Sequence, residues 1–381
     1  MNNAETNRPA QGNNHTPLRI AHANASPDWE GREIRILTEA SGMSQQGHQV
    51  ALLCPKKARL LAAAQARNLP AAELPIASKG VRGIWAMARW LRHHPVDAVI
   101  THSGTDTWLT ALACRLLPHP PAVIRLRHTS APLPRNPATH WLYTQGCRHI
   151  VTTGETLRLQ LARDNLLPIA RITSVPTGID LKQFIPGQQS LVRQQLGLAP
   201  QRFVIGILAS LRAWKGHAQL LEAVAALNRN DLHLLIIGDG PQRANLEQQI
   251  QTSHLTNQVT LTGHQENVVP WLQACDICAL PSHANEGIPQ ALMQAMACGV
   301  PVIATPVGGI REIIHPPNTG LLVPPKDPVA LAGALHELLD SAQTRDTLRL
   351  NALRFARQHF SLGSMLERME AVIRHASFMQ P

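Results

Sequence analysis

The sequence predicts an α/β protein with two Rossmann-like, doubly wound domains and a helical extension. The chain has 381 residues, a length that suits two domains better than one hydrophobic core. Short β-branched segments alternate with helical segments, and this alternation restarts once near the middle of the chain. From about Pro328 onward the sequence contains helix formers and no further strand signal.

The N-terminal half contains five segments with strand character, separated by segments with apolar residues at helical spacing. The predicted strands are 18–23, 50–54, 98–101, 123–126 and 149–152. The clearest predicted helices are 31–46 and 80–93. Because strands that alternate with helices form βαβ units, these segments predict a parallel sheet. Residues 1–17 are polar and are predicted to form a disordered tail.

A second set of five strands predicts a second domain of the same kind. The segments are 203–209, 232–237, 259–261, 277–280 and 302–304, each followed by a helix or by a Gly/Pro turn. We place the N-terminal domain at 18–185 and the C-terminal domain at 186–360. The remaining residues, 361–381, are predicted to form a helix that crosses back to the N-terminal domain.

The excess positive charge of the chain lies in its N-terminal half. Residues 1–185 contain 21 Lys/Arg and 11 Asp/Glu, whereas residues 186–381 contain 14 of each. Such a field favours an anionic partner, either nucleic acid or an acidic lipid surface. One Tyr, five Phe and no stacking-rich basic motif argue against nucleic acid. The sequence contains no apolar run of transmembrane length.

The six cysteines predict buried thiols. They are scattered through apolar segments without the spacing of a disulfide framework. Cys275 and Cys278 form a lone CxxC pair, and the sequence does not space a second pair of zinc ligands for it. Because reduced thiols are typical of the cytosol, a cytoplasmic protein is expected.

The predicted helix 80–93 is amphipathic and basic. Its apolar face contains Val81, Ile84, Trp85, Ala88 and Leu91, and the basic residues beside that face are Arg82, Arg89 and Arg92. We expect the apolar stripe to pack on the sheet. Insertion into a membrane surface is the alternative.

The loop after strand 203–209 carries residues suited to bind phosphate, in the position where open α/β domains bind ligands. Arg212 and Lys215 are three residues apart, and Gly216 allows close approach of the backbone. A guanidinium fork and an ammonium in this arrangement predict a phosphate clamp. Two solvated side chains are the alternative.

The loop after strand 232–237 argues against a nicotinamide-dependent oxidoreductase. It contains Gly238 and Gly240 in a tight turn before a helix. Arg243, however, stands where the dinucleotide fingerprint GxGxxG requires its third glycine.

The most specific motif follows strand 277–280. The run 281–301 contains Glu286 and Gly287, then a helical segment, with Gln294 eight residues after Glu286. It resembles the signature of family 4 retaining glycosyltransferases, in which two glutamates have this spacing. The segments 175–184 and 305–309 and the Arg212/Lys215 pair fit the same family in order and spacing. The resemblance covers nearly all of 170–315 and extends more loosely over 18–170.

The resemblance implies a two-domain GT-B fold that binds a nucleotide-diphosphate sugar as co-substrate. In the family, the first glutamate contacts the donor sugar and the second contacts the ribose hydroxyls. Glu286 matches the first position, whereas Gln294 departs from the family at the second, because an amide brings no charge. For Glu286, a plain acid at a helix N-terminus is the alternative.

Gly287 is expected to open the helix of this motif and to present its free N–H groups to a diphosphate. Positions 286 and 294 would then lie about 80° apart round the helix axis and about 12 Å apart along it. Since Pro289 has no N–H, the diphosphate is expected to be held by Gly287 and Ile288.

The resemblance also assigns residues in the N-terminal half. Gly31 stands where the family usually has paired glycines after the first strand. His128 resembles the family histidine that lines the donor pocket, and a core or capping histidine is the alternative there and at His102. No DxD-like pair of carboxylates flanks the donor loops, so no metal or other cofactor is expected. The predicted catalytic residues are Glu286, Arg212, Lys215 and His128, and the predicted donor-binding residues are Gly31, Gly240, Gly287, Ile288 and Gln294.

These motifs predict transfer of a sugar to an acceptor hydroxyl with the anomeric configuration kept, with the acceptor on the N-terminal domain. The segment 103–108 is similar to segments of bacterial lipopolysaccharide-type enzymes, which implies a glycan or lipid-linked envelope acceptor. Such an acceptor and the basic N-terminal half lead to the hypothesis of peripheral docking on the anionic inner membrane. The alternatives are a nucleotide-sugar epimerase or inverting transferase on the same scaffold, and a non-enzymatic nucleic-acid binder.

Overall fold

The protein consists of two parallel sheets with associated helices, as a computed structural model of residues 16–378 shows. The first sheet has seven strands: β1 Arg19–Ala23, β2 Gln49–Cys54, β3 Ala71–Glu73, β4 Ala98–Thr101, β5 Ala122–Arg127, β6 His149–Thr152 and β7 Ile172–Ser174. Its helices are α1 Gly31–Gln45, α2 Arg59–Ala66, α3 Val81–His93, α4 Gly104–Cys114, α5 Pro137–Trp141 and α6 Glu155–Asn165, with a π-helical turn Leu142–Gly146 and a 3₁₀ turn Ile169–Arg171.

The second sheet has six strands: β8 Phe203–Leu208, β9 Leu232–Ile237, β10 Val259–Gly263, β11 Ile277–Leu280, β12 Val302–Ala304 and β13 Leu321–Leu322. The helices of this half are α7 Gln189–Gln195, α8 His217–Leu227, α9 Arg243–Thr252, α10 Val269–Ala274, α11 Gln290–Ala297, α12 Pro328–Asp340, α13 Ala342–His359 and α14 Leu362–Phe378, with 3₁₀ turns Ala213–Lys215 and Ile310–Glu312. The predicted α/β class with two Rossmann-like sheets is confirmed.

The strand order places the same kind of crevice in both halves. The first sheet has the order β3-β2-β1-β4-β5-β6-β7 and the second has β10-β9-β8-β11-β12-β13. In each sheet the order reverses beside the first strand, between β1 and β4 and between β8 and β11. Loops that leave a sheet on either side of such a reversal diverge, so a ligand crevice forms at the carboxyl ends of these strands.

The final helix, α14, packs on the first sheet although it follows the second domain in sequence. Met365, Leu366 and Met369 belong to the same apolar cluster as residues of helix α1 and of strands β1, β2, β4, β5 and β6. Gly42 permits this contact, because a Cβ at that position would lie 2.5 Å from a methyl group of Leu366. The chain therefore crosses between the two halves twice, near Ile179 and near Ser361, which pair with each other.

Helix α3 differs from the prediction in the face that it buries. Gly83, Met87, Ala88 and Leu91 are buried, whereas Val81 and Trp85 are 68% and 59% exposed. The predicted apolar stripe was therefore wrong at these two residues. The reason is that Gly83 fits against the Pro75 carbonyl and Leu109, which rotates the helix so that its smallest residue faces inward.

All six cysteines are free and buried, as the sequence predicts. Burial raises the pKa of the Cys278 thiol to about 12, so this side chain is an inert apolar group at neutral pH. The predicted disordered tail falls mainly on residues 1–15, which lie outside the described residues. Within residues 16–378, no helix is long and apolar enough to cross a membrane.

Candidate active site

The carboxyl ends of the two sheets face each other across a cleft. The Gln290 amide, beyond β11, donates a 2.6 Å hydrogen bond to the Gly31 carbonyl, beyond β1. Arg212, beyond β8, lies 3.0 Å from a carboxylate oxygen of Glu30. The loops at both strand-order reversals therefore meet, and they define one candidate site between the domains.

Lys215 and Glu286 form the centre of the C-terminal side of this cleft. The Lys215 Nζ lies 2.6 Å from Glu286 Oε1. Gly216 brings the two loops together, since it has a φ of 82° and lies against the Pro281 carbonyl, where a Cβ would collide. Only glycine adopts this backbone at low cost and leaves that space free.

Glu286 is held by several contacts, although it lies in the loop between β11 and α11. Its side chain is buried, with the residue 4% exposed, and Oε1 also accepts a 2.7 Å hydrogen bond from Ser282 Oγ. Gly308, with a φ of 59°, packs against the Glu286 carbonyl. Neither the lysine nor the serine contact uses Oε2, which leaves that oxygen to accept a hydrogen bond from a ligand hydroxyl.

Arg212 carries a second positive charge on the same side. Its guanidinium pairs with Glu30 at 3.0 Å and lies 3.7 Å from Asp28, both on the N-terminal domain. It also lies over the Trp214 ring, 5.9 Å from the centroid. Because carboxylates neutralise Arg212 and Lys215 in this state, an anionic ligand must displace or outcompete them.

Gly287 does not open the helix, contrary to the prediction. Helix α11 begins at Gln290, with Pro289 as its N-cap. The Gly287 carbonyl instead accepts a hydrogen bond from Gly309 N at 3.1 Å, and a Cβ on Gly287 would collide with the His128 carbonyl and lie 2.6 Å from Thr153 Oγ1. These contacts hold Gly287 outside the helix, which begins only after the proline.

The predicted geometry of positions 286 and 294 is therefore wrong, because only Gln294 lies on the helix. Glu286 belongs to the loop before it. Gln294 and Ile288 are both 7% exposed. The free N–H groups at the start of α11 are those of Gln290 and the residues after it, which moves the positive end of the helix by one turn.

The remaining predicted donor residues lie at backbone contacts of the cleft loops. Gly240 packs against the backbone of Leu211, with a Cβ position 2.8 Å from Leu211 N. It therefore supports the loop that carries Arg212. Gly31 contributes its carbonyl to the contact with Gln290.

His128 and His102 lie together on the N-terminal side, in a row with His22. His22 Nδ1 is 3.1 Å from His102 Nε2, and His102 Nδ1 is 3.1 Å from His128 Nε2. Burial lowers the pKa of all three imidazoles, to about 3 for His22. The row is therefore neutral at pH 7.

Two family models match the chain, one in each half. Residues 29–183 match the model described as Glycosyltransferase Family 4, and residues 188–355 match the model described as Glycosyl transferases group 1. The chain belongs to the family 4-type GT-B glycosyltransferases. The resemblance inferred from the motif around Glu286 is thereby confirmed.

Curated relatives align with about half of the length of this chain. A D-inositol 3-phosphate glycosyltransferase from Paenarthrobacter aurescens is 33% identical over 189 residues, which is 47% of this chain and 45% of the relative. The N-acetyl-alpha-D-glucosaminyl L-malate synthase of Bacillus anthracis is 27% identical over 54% of each chain. The chain thus spans about half the length of the curated relatives that it matches.

Solved structures share the fold of this chain over nearly its whole length. A glycosyltransferase from Rickettsia africae superposes with a TM-score of 0.84 at 19% identity, over 96% of this chain and all of that one. Anabaena HepE in complex with UDP-glucose superposes with a TM-score of 0.84 at 20% identity, over 94% of this chain and 99% of that one. WaaG, a glycosyltransferase involved in lipopolysaccharide biosynthesis, gives 0.73 at 18% identity, over 93% and 99%.

The structure also brings in residues that the motifs did not identify. Glu30 and Glu33 form a capping box at the start of α1, and Glu30 reaches across to Arg212. Glu312 accepts hydrogen bonds from the N–H groups of Glu155 and Thr156, at 2.7 and 2.8 Å. The three-residue spacing of Glu30 and Glu33 is the one sequence signal that could have identified the capping box of α1.

Residues 16–378 contain no group of three or more His, Cys, Asp or Glu side chains placed to hold a metal ion.

Proposed function

We propose that the protein transfers a sugar from a nucleotide-diphosphate sugar to an acceptor hydroxyl. The observation that carries this proposal is the convergence of Arg212, Lys215 and Glu286 at the cleft where both strand-order reversals meet. Arg212 and Lys215 would stabilise the diphosphate leaving group, where negative charge develops in the transition state. Glu286 Oε2 would accept a hydrogen bond from a hydroxyl of the donor sugar.

The proposed reaction keeps the anomeric configuration and needs no metal. The cleft loops offer two cations in place of a divalent ion, which is sufficient charge for a diphosphate. We assign no carboxylate as a covalent nucleophile, because Glu286 is already paired with Lys215 and Ser282 and we identify no second carboxylate for that role. We therefore favour a front-face route in which the leaving phosphate helps to deprotonate the acceptor.

The acceptor is proposed to be a glycan or lipid-linked component of the cell envelope, bound by the N-terminal domain. The likeness of segment 103–108 to lipopolysaccharide-type enzymes and the shared fold with WaaG support this choice. The related D-inositol 3-phosphate glycosyltransferases support a phosphorylated polyol as the second acceptor class to test.

Product analysis tests the reaction. Purified protein is incubated in EDTA with UDP-, GDP- and ADP-sugars, together with lipopolysaccharide core acceptors or inositol phosphate. Release of the nucleoside diphosphate and proton NMR of the anomeric centre are then measured. We expect an α-linked product from an α-linked donor. A β-linked product would support the inverting alternative, and loss of activity that Mg²⁺ restores would contradict metal independence.

We further propose that the protein is cytoplasmic and that its N-terminal domain docks peripherally on the anionic inner membrane through α3. The exposed apolar residues Val81 and Trp85 lie beside basic side chains on this helix. The exposed basic residues of this surface are Lys79, Arg82, Arg89 and Arg92. Each basic residue near such a surface contributes about 1 kcal/mol, so four give weak and reversible binding.

Vesicle flotation tests this docking. The triple variant R82Q/R89Q/R92Q should lose salt-sensitive binding to vesicles that contain anionic lipid. The matched control is R354Q/R357Q, which changes exposed arginines on α13 of the other domain. Equal binding to neutral and anionic vesicles, or binding that ignores salt, would contradict electrostatic docking.

A further inference from the structure

Three histidines form a hydrogen-bonded row from the core of the N-terminal domain to the cleft. His22 lies in β1, His102 directly follows β4, and His128 directly follows β5. Both ring-to-ring hydrogen bonds measure 3.1 Å. The rings of His22 and His102 are inclined by only 13°, so the N–H of one ring can point along the in-plane lone pair of the next.

Burial, followed by the positive charges around the row, keeps all three rings neutral. Burial and the positive charge of Arg35 lower the pKa of His22 and of His128. Burial is also the main cause of the lowered pKa of His102, and the two neighbouring histidines lower that pKa further. The other cations that act on the row are Arg32, Arg125 and Arg127. The buried carboxylate of Asp106 accepts the backbone N–H of His102 rather than a ring N–H.

A neutral imidazole has one N–H and one acceptor nitrogen, so the row runs in one of two directions. At its inner end, His22 Nε2 is buried and has no hydrogen-bond partner within the described range 16–378. An orphaned N–H is rarer in proteins than an orphaned acceptor. The inner nitrogen is therefore the acceptor, and each ring carries its proton on Nδ1 and donates toward the cleft.

We propose that His22 and His102 are positioning residues that hold His128 as its Nδ1–H tautomer, with this N–H free to donate to the substrate. The Nδ1 of His128 has no hydrogen-bond partner among residues 16–378, and the His128 carbonyl packs against Gly287 of the donor loop. A neutral N–H beside that loop suits a sugar hydroxyl. The identity of the substrate in this inference rests on the proposed function, whereas the tautomer of His128 does not depend on it.

The tautomer is measured directly on the donor-free protein. Histidines are labelled with ¹⁵N, and the signals of His128 are assigned by difference from H128N. We expect a neutral His128 with a protonated Nδ1 between pH 6 and 8. A protonated Nε2, or a charged ring at pH 7, would overturn the proposal whether or not the protein transfers sugars.

Two replacements of His102 separate positioning from packing. Asn places its amide near the Nδ1 position and can still donate to His128, whereas Gln places its amide near Nε2 and cannot. We expect H102Q to mix the His128 tautomers and to lower kcat/KM by about 5- to 10-fold, the effect of one hydrogen bond. H102N should retain the wild-type tautomer of His128, and its kcat/KM should stay within about twofold of the wild-type value, because the hydrogen bond to His128 remains in place.

The matched control is H149Q, which replaces a buried histidine at the opposite end of the sheet that contacts Thr173. It should change neither the His128 signals nor kcat/KM. An unchanged His128 tautomer in H102Q would overturn the positioning role. If no variant or wild-type protein shows turnover, the NMR result still decides this inference, and the proposed function fails separately.

Discussion

At the residue scale, the cleft contains two cations whose partners in this state are carboxylates. Lys215 pairs with Glu286, and Arg212 pairs with Glu30 and Asp28. In the sequence, Glu286 is 71 positions from Lys215, and Glu30 is 182 positions from Arg212. The sequence predicted the cations and Glu286 from loop position and motif. It could not predict the pairing with Glu30, because nothing local in sequence relates the two domains.

The first prediction concerns these cations. K215A and R212A should each lower turnover by roughly 10²–10³, by analogy with the loss of one preorganised oxyanion donor. The thermal midpoint should change little, since both side chains are partly exposed. The control is R202A, which removes an arginine that directly precedes β8, at the end of the strands away from the cleft. Near-wild-type turnover in both cleft variants would contradict the phosphate clamp.

The second prediction concerns Gln294, where the family has a glutamate. If this side chain contacts the ribose diol, Q294E should replace a neutral hydrogen bond with a charge-assisted one. Such bonds are roughly twice as strong as neutral ones, so the donor Kd should fall by up to about tenfold. Isothermal titration with the donor measures this. An unchanged or weaker affinity would show that Gln294 does not contact the ribose.

At the element scale, a carboxylate of one domain caps a helix of the other. Glu312, in the 3₁₀ turn after β12, accepts both leading N–H groups of α6. Gly154 makes room for it, because a Cβ there would lie 2.8 Å from a Glu312 oxygen. A carboxylate at a helix N-terminus stabilises the contact by about 0.3–1 kcal/mol, and up to about 2 when partly buried.

The third prediction follows from this cap. E312A and G154A should both loosen the contact between the domains, and both should increase the radius of gyration of the donor-free protein. Small-angle X-ray scattering measures the change. The control E337A removes an exposed carboxylate of α12. Scattering profiles of both variants that match the wild type would show that this cap does not hold the domains together.

The elements that the sequence missed are short and lie toward the edges of the sheets. Strands β3 and β13 are terminal in the strand order, and β7 is the other edge of the first sheet. They contain two or three residues each, too few to show a period of two. The start of α11 was misplaced for a different reason, since tertiary contacts of Gly287 with His128 and Gly309 hold the preceding segment outside the helix.

At the scale of the whole molecule, buried neutral histidines make stability depend on pH. Burial, followed by the charge of Lys215, lowers the pKa of His217 to about 4, and burial lowers that of His22 to about 3. Unfolded histidines have a pKa near 6.5. Below that pH the unfolded chain binds protons that the folded chain does not, so stability is lost as pH falls.

The fourth prediction is the size of this loss. Between pH 7 and pH 5, each of these two histidines should lower the free energy of unfolding by about 2 kcal/mol. The variant H217N should therefore show a shallower decline of the thermal midpoint than the wild type. H119N, which changes an exposed histidine, should decline as the wild type does. A decline in H217N as steep as in the wild type would contradict the role of His217.

The central claim is that the cleft between the two sheets binds a nucleotide-diphosphate sugar through Arg212 and Lys215. The most direct measurement is thermal unfolding in EDTA with UDP-, GDP- and ADP-sugars, for the wild type and for R212A/K215A. A donor at 100 times its Kd adds about 2.7 kcal/mol, so at least one donor should raise the wild-type midpoint and should not raise that of the double variant. A wild-type midpoint that no nucleotide sugar raises, or an equal rise in the double variant, would contradict the account.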